Sequence, residues 1–406
     1  MSDTTARRGV SRRLIQLSAL VFFGSLLVYG LTVLFGEHTR SSGMAYFNEL
    51  AGSFLRGRLD VPVPSSKHDL TLHEGRWYLP FPPLPALLLL PWVVLFGANG
   101  VNSVLFSIVV AAGGVTFAHL LLDAMSRRGL LELDRAGRWW LTTLFGFGTV
   151  YWSVAILGSV WYLGQITSVM MVALSAWLAA ERAPRVAVGA TLGLALLGRP
   201  NLVLSLPLIH ALREAGEADG KSRRARAGLL LPIAAAIACL LAYNAARFGS
   251  PFDFGYREAN VPPKLASDLE TFGQFHWRYL ERNLAALLWL LPRWERGGLR
   301  PDFEGMSIVL TTPAALFLLR ARGGATWMRA AWLSFALLLL PLLTYYNTGW
   351  MQFGYRFSLD FSVPMLLLLA VAAGSRPGRL FRALILVGVL VNLWGAWWWM
   401  EVLRHF

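Results

Sequence analysis

A chain of 406 residues that is 56% hydrophobic and 15% charged is too apolar to be a soluble protein. Its formal charge of +14 does not point to nucleic acid, because most arginines sit in short loops between apolar runs, where they act as topology signals and contact anionic lipid. The single cysteine, Cys239, rules out an internal disulfide, and no CxxC metal pattern is present.

The N-terminus carries Arg7, Arg8, Arg12 and Arg13 ahead of an apolar run over 14–35. That run is longer than the ~7–15 residues of a secretory apolar region and no small-residue cleavage site follows, so it reads as an uncleaved first span. Apolar runs of this length recur along the chain. Each can cross a ~30 Å hydrocarbon core as a helix, and a helix satisfies its own backbone in lipid. The expected class is therefore an all-α polytopic membrane protein, one domain over 1–406.

Topology follows from arginine parity. Arginine-rich segments at 7–13, 127–138, 182–185, 213–226, 320–329 and 376–382 are placed together on the cytoplasmic side. Three apolar runs lie between the first two segments, at 14–35, 80–97 and 101–123. Parity needs an even number, so one does not cross. The run with Pro80, Pro82, Pro83, Pro85 and Pro91 is the weakest, since proline removes a backbone donor and clashes with the preceding turn. Residues 82–96 are therefore expected as a helix lying in the interface, inside one long outer loop over 36–100.

Runs 139–158 and 163–180 form a hairpin. The run between 185 and 213 is broken by Gly198, Arg199, Pro200 and Asn201 and is read as two half-crossings. Runs 227–246 and 304–319 flank a second outer loop over 247–303. Runs 329–346 and 357–374 flank a short one, and 379–399 puts the C-terminus outside. The expected total is about 11 spans, with the N-terminus cytoplasmic in a bacterial-type plasma membrane.

Ionisable residues at membrane depth cost at least ~2.5–3.5 kcal/mol each, so they are functional candidates. In this topology they gather on the outer face. Asp69 lies beside His68, His73, Glu74, Arg76, Trp77 and Tyr78. It reads either as a general base in a shielded loop or as part of a solvated loop, and Glu74 reads as solvated. Arg199 with Asn201 sits at the break between half-spans. It is either a bidentate phosphate ligand or a cation reaching for the surface. Arg356 and Asp360 are four apart at the mouth of a span, either as an ion pair or with Arg356 facing an anion. The stretch 243–258 adds Asn244, Arg247, Asp253 and Arg257, and Tyr355 precedes Arg356. Aromatic residues interleaved with glycine in both stretches suit sugar stacking and equally suit any interfacial loop.

Four stretches in this order resemble the polytopic GT-C glycosyltransferases that use polyprenyl-phosphate sugars, relatives of the aminoarabinose and protein O-mannosyltransferases. They are "YFNELAGSFLRGRLDVP" from Tyr46, "RWYLPFPPLPALLLLPWVVLFGAN" from Arg76, "GLALLGRPNLVLSLPL" from Gly193 and "FGYRFSLDFSVPMLLLLA" from Phe353. The resemblance implies a GT-C-like fold and inverting transfer of a sugar from a polyprenyl-phosphate donor to a glycan, lipid or protein acceptor at the outer face. It brings membrane lipids as surroundings and no nucleic acid. The family commonly carries an acidic pair shortly before the first-loop tyrosine. Here Gly43 and Met44 occupy the nearest slots, and Glu37 and Glu49 are out of register. Asp69 is the expected replacement, with Glu37 and Glu49 as the alternatives. Arg199, Arg356 and Arg247 are the expected phosphate ligands. His68, Arg76, Tyr78, Asn201, Asn244 and Tyr355 are the expected substrate contacts. No cofactor is called for by any motif, and a divalent metal stays open. The rival functions are an O-antigen polymerase or ligase and a lipid-linked sugar transporter or flippase. A transporter should show repeat symmetry and a polar path across the membrane, and the sequence shows neither.

Overall fold

The computed structural model describes residues 2–64, 66–216, 223–295 and 298–403, with the side chains of 2–13 and 223–225 excepted, so the arginines expected at 7–13 lie outside the described side chains. In chain order the helices are α1 (Ser2–Phe35), α2 (Tyr46–Phe54), α3 (Leu84–Phe96), α4 (Ser103–Arg127), α5 (Arg135–Phe147), α6 (Tyr151–Ala155), α7 (Val160–Ala180) and α8 (Arg185–Leu196). They continue as α9 (Leu206–Glu214), α10 (Arg223–Phe248), α11 (Pro263–Phe272), α12 (Leu280–Leu288), α13 (Ile308–Thr311), α14 (Thr326–Leu343), α15 (Ser362–Ala373) and α16 (Arg379–Leu403). Two small antiparallel hairpins interrupt them, β1 (Thr71–His73) with β2 (Arg76–Tyr78), and β3 (Arg293–Glu295) with β4 (Gly298–Arg300). Sequence reading anticipated neither hairpin, because three-residue strands leave no periodicity to detect.

Among the described residues seven helices are long and apolar enough to cross a membrane: Leu14–Phe35, Ser103–Arg127, Val160–Ala180, Arg226–Phe248, Thr326–Leu343, Arg356–Ala373 and Arg379–Leu403. The remaining expected spans, three runs of which one was read as two half-crossings, are built from shorter pieces. The run over 139–158 divides into α5 and α6 around a bend. The run over 185–213 divides into α8, a 3-10 turn Pro200–Ser205 and α9. The run over 304–319 becomes the single turn of α13 followed by a 3-10 segment, Pro313–Arg320. In that piece Pro313 deletes a backbone donor at the junction.

α3 has 13 residues, so at ~1.5 Å per residue it reaches about 20 Å, short of a ~30 Å core. It starts two residues later than expected. Leu84, Ala86, Leu89 and Val93 are buried, while Trp92, Val94, Leu95 and Phe96 are exposed. Its first amide, Leu84 N, donates to Leu197 O at 2.9 Å, which pins the helix to the break after α8. Gly198 sits in that joint, where an added methyl would strike Ser168 Oγ and Leu84.

Arginine-rich loops meet at one end of the bundle. Arg128 donates to Ala180 O at 2.7 Å, Arg182 to Ala215 O at 3.0 Å and Arg213 to Ala183 O at 3.0 Å. Arg185 pairs with Glu214, joining the start of α8 to the end of α9, so the broken run folds back on itself. Arg376 reaches Asp134 at 3.2 Å, and Phe317 packs on Phe381 with ring centroids 4.8 Å apart. The two long loops, 36–100 and 247–303, lie at the other end and are stitched together. Asn260 N donates to Leu70 O at 2.8 Å and Thr71 Oγ1 to Gly255 O at 2.8 Å. This stitching positions Asp69.

Candidate active site: a carboxylate and two guanidinium groups in one cleft

Asp69 sits in a turn just before β1 with φ +58°, the left-handed region that aspartate tolerates better than most residues. The turn is held from three sides. Asp69 N donates to Asn260 O at 3.0 Å, Asn260 Nδ2 to Lys67 O at 2.9 Å, and Tyr46 of α2 donates its hydroxyl to His68 O at 3.0 Å. So placed, the carboxylate accepts a 2.9 Å hydrogen bond from Trp161 Nε1 at the start of α7. His68 Nε2 stands 3.7 Å from the other oxygen, and its ring meets the Trp161 indole edge-on. Burial pushes the Asp69 carboxyl above the ordinary carboxylate range, against the opposing pull of His68, the Trp161 bond and Arg356.

Opposite, the break after α8 and the 3-10 turn Arg356–Phe361 meet around a buried acid. Asp360 Oδ2 accepts from Arg199 Nε at 3.1 Å, Arg199 Nη2 at 2.7 Å and Asn201 Nδ2 at 2.7 Å. Its Oδ1 accepts from Gln165 Nε2 at 3.1 Å, and Gln165 also donates to Arg356 O at 2.8 Å. Of the two readings of Arg356 and Asp360, the ion pair within one helix face is not formed; Asp360 pairs with Arg199 instead. In the tighter 3-10 turn, residues four apart do not stack as they do on an α-helix. Arg356 instead donates Nε to Gly349 O at 3.1 Å and lies over the rings of Phe357 and Tyr162, at 4.6 and 5.4 Å.

Between these walls is a cavity of about 240 Å³ lined by Asp69, Trp161, Arg199, Asn201, Arg356 and Phe357. Tyr256, Gln274, Tyr345, Tyr346, Asn347 and Trp350 complete it. Burial holds the Tyr256 and Tyr345 hydroxyls well above their ordinary range, so they remain neutral donors and acceptors. A carboxylate with a raised pKa can take a proton from a hydroxyl. The guanidinium groups facing it can hold an anionic group.

Four of the residues picked from sequence, Asp69, Arg199, Asn201 and Arg356, line this cavity; the others do not. His68 stands behind Asp69. Arg76 is exposed on β2. Tyr78 is buried against Phe248, their ring centroids 5.5 Å apart. Tyr355 is buried in the core, its hydroxyl directed at Leu342 O. Arg247 and Asn244 are not among the residues that line the cavity. Arg247 is buried, donates to Leu79 O and to Asn244 Oδ1, and stacks 3.8 Å from the Tyr243 ring centroid. A guanidinium enclosed in this way braces α10 against the first loop and is sequestered from the cavity. Of the alternative acids, Glu37 is exposed in the turn after α1 and Glu49 is half-buried on α2; neither lines the cavity. Among the described residues no group of three or more His, Cys, Asp or Glu side chains is placed to hold a metal ion. Sequence reading missed the roles of Trp161, Tyr256, Tyr345 and Asn347. The only signal for Tyr256, Tyr345 and Asn347 was the aromatic density of the stretches 243–258 and 345–360; Trp161 lies in neither.

No protein-family model and no curated protein matches the chain. Among solved structures, an apo oligosaccharyltransferase from Archaeoglobus fulgidus matches at 13% identity with a TM-score of 0.42. The match covers 94% of this chain and 55% of that one, so the chain spans about half the length of that protein.

Proposed function

We propose that the chain is a membrane glycosyltransferase that moves a sugar from a polyprenyl-phosphate donor to the hydroxyl of a glycan, lipid or protein acceptor. The observation that carries this reading is one cleft holding a carboxylate of raised pKa opposite Arg199 and Arg356. In the reaction the acceptor oxygen forms a bond to the sugar's C1 while Asp69 takes the hydroxyl proton. The bond from C1 to the phosphate oxygen breaks, and the phosphate leaves with the electron pair. Arg356 and Arg199 offset the charge that develops on it. Base and leaving group on opposite sides of the sugar invert the anomeric centre.

The four sequence stretches that resemble GT-C enzymes support the same reading. Three of them supply α2, the segment from β2 through α3, and the break after α8. The arginine-rich end then faces the cytoplasm, the cleft and the C-terminus lie outside, and the polyprenyl tail runs in the adjoining lipid. The test is Asp69→Asn in purified protein with a polyprenyl-phosphate hexose. Turnover should fall ~10²–10⁴-fold, the usual worth of a general base, with donor binding kept. Near-normal turnover would remove Asp69 from the reaction and turn attention to Glu49 and Glu37.

A further inference from the structure

Beside the cleft lies a second cavity of about 190 Å³, lined by Lys264, Leu265, Arg282, Glu304 and Thr348 together with Asn347 and Trp350. The last two also line the cleft that contains Asp69, so the two cavities share a wall only a few residues thick. That wall is fixed from behind. Thr348 donates its hydroxyl to Glu304, Gln352 Nε2 donates to Glu304 O at 2.7 Å, and Arg356 N donates to Gln352 Oε1 at 2.8 Å. Arg282 is held in place by Asp268 at 2.9 Å and by Tyr346 O. Trp350 remains 51% exposed.

An exposed indole face beside a carboxylate, an amide, a hydroxyl and cations at the rim is the chemistry that grips a sugar. The apolar face of the pyranose ring packs on the indole, and its hydroxyls meet the polar groups around it. We propose that the second cavity binds a hydroxyl-rich glycan as acceptor, with the reacting hydroxyl reaching past Asn347 and Trp350 toward Asp69. The inference rests on the transfer reading above and names its acceptor class.

The test is direct binding, without turnover, by saturation-transfer NMR on the full chain in micelles. The probes are methyl hexosides and maltotriose, a serine-rich peptide, and polyprenyl phosphate measured separately. Two variants change side chains that line the second cavity and not the cleft, Leu265→Trp, which fills it, and Glu304→Gln, which removes the charge and keeps the shape. The glycan probes should bind the wild type, and each variant should weaken them by about 10-fold or more, Glu304→Gln by the usual loss for a hydrogen bond to a charged group and Leu265→Trp by occupying the space. Polyprenyl phosphate binding should not move. Glycan affinity unchanged in both variants, or a peptide that binds where the glycans do not, overturns the acceptor assignment and leaves the donor reading standing. Loss of glycan binding in the variants, with no polyprenyl phosphate binding in any protein, upholds the glycan site and refutes the donor reading.

Discussion

Asp360 is the side chain whose removal has the most predictable cost. Its carboxylate is fully buried and accepts four hydrogen bonds, two from Arg199 and one each from Asn201 and Gln165. Asp360→Asn changes almost no volume and leaves one acceptor oxygen. If that oxygen faces Arg199 and Asn201, the new amide N–H group points at Gln165 Nε2, donor against donor. Rotating the Gln165 amide would relieve the clash but would give up its 2.8 Å bond to Arg356 O. One hydrogen bond is lost either way, to the Asp360 side chain or to the Arg356 carbonyl, about 1–3 kcal/mol. Arg199 also loses its counter-charge, and breaking a buried pair costs ~3–5 kcal/mol. The Arg199 side chain is 20% exposed, so water recovers part of this, and the two losses overlap because Asp360 is common to both. The expected destabilisation is therefore about 3 kcal/mol. It would be read from SDS-induced unfolding in mixed micelles, beside an Asn201→Ala control that removes one donor to the same carboxylate and should cost about 1.5 kcal/mol. A loss below ~0.5 kcal/mol, the level of an ordinary surface change, would show that Arg199 is not anchored by Asp360, and the account of the cleft wall would fail.

Two further outcomes are expected. Burial raises the Asp69 pKa, so the transfer rate should climb with pH and level off only above the ordinary carboxylate range; an acidic limb that persists in residual Asp69→Asn activity would assign it to another group. Stability moves the other way. Folded Asp69 holds its proton more tightly than the unfolded chain does, so its contribution falls as pH rises from the ordinary carboxylate value through the raised one; Asp69→Asn should flatten that slope in unfolding titrations. For topology, cysteines placed at Gly75 and Lys264 in a Cys239→Ala background should react with an impermeant thiol reagent from outside the cell, and one at Glu132 should not. Reaction at Glu132 from outside, or at the first two only after permeabilisation, would invert the topology.

The sequence by itself determined the membrane class, the grouping of the arginine-rich loops and the shortness of α3, because these depend on quantities summed along the chain. Apolar length sets what can cross lipid, arginine in short loops sets which ends meet, and Pro80, Pro82 and Pro83 ahead of Leu84 with Gly97 after Phe96 bound a helix too short to span. It also picked out Asp69, Arg199, Asn201 and Arg356, since charge and amide groups beside apolar runs stand out in any window. What each of these touches was decided only by tertiary structure. Arg199 meets Asp360 across 161 residues of chain, and Trp161 meets Asp69 across 92. No local pattern encodes partners so far apart. The same holds for Arg247, which by type and position looked like Arg199. It differs because folding places the Leu79 carbonyl, Asn244 and the Tyr243 ring around its guanidinium, whereas Arg199 and Arg356 are left lining open space.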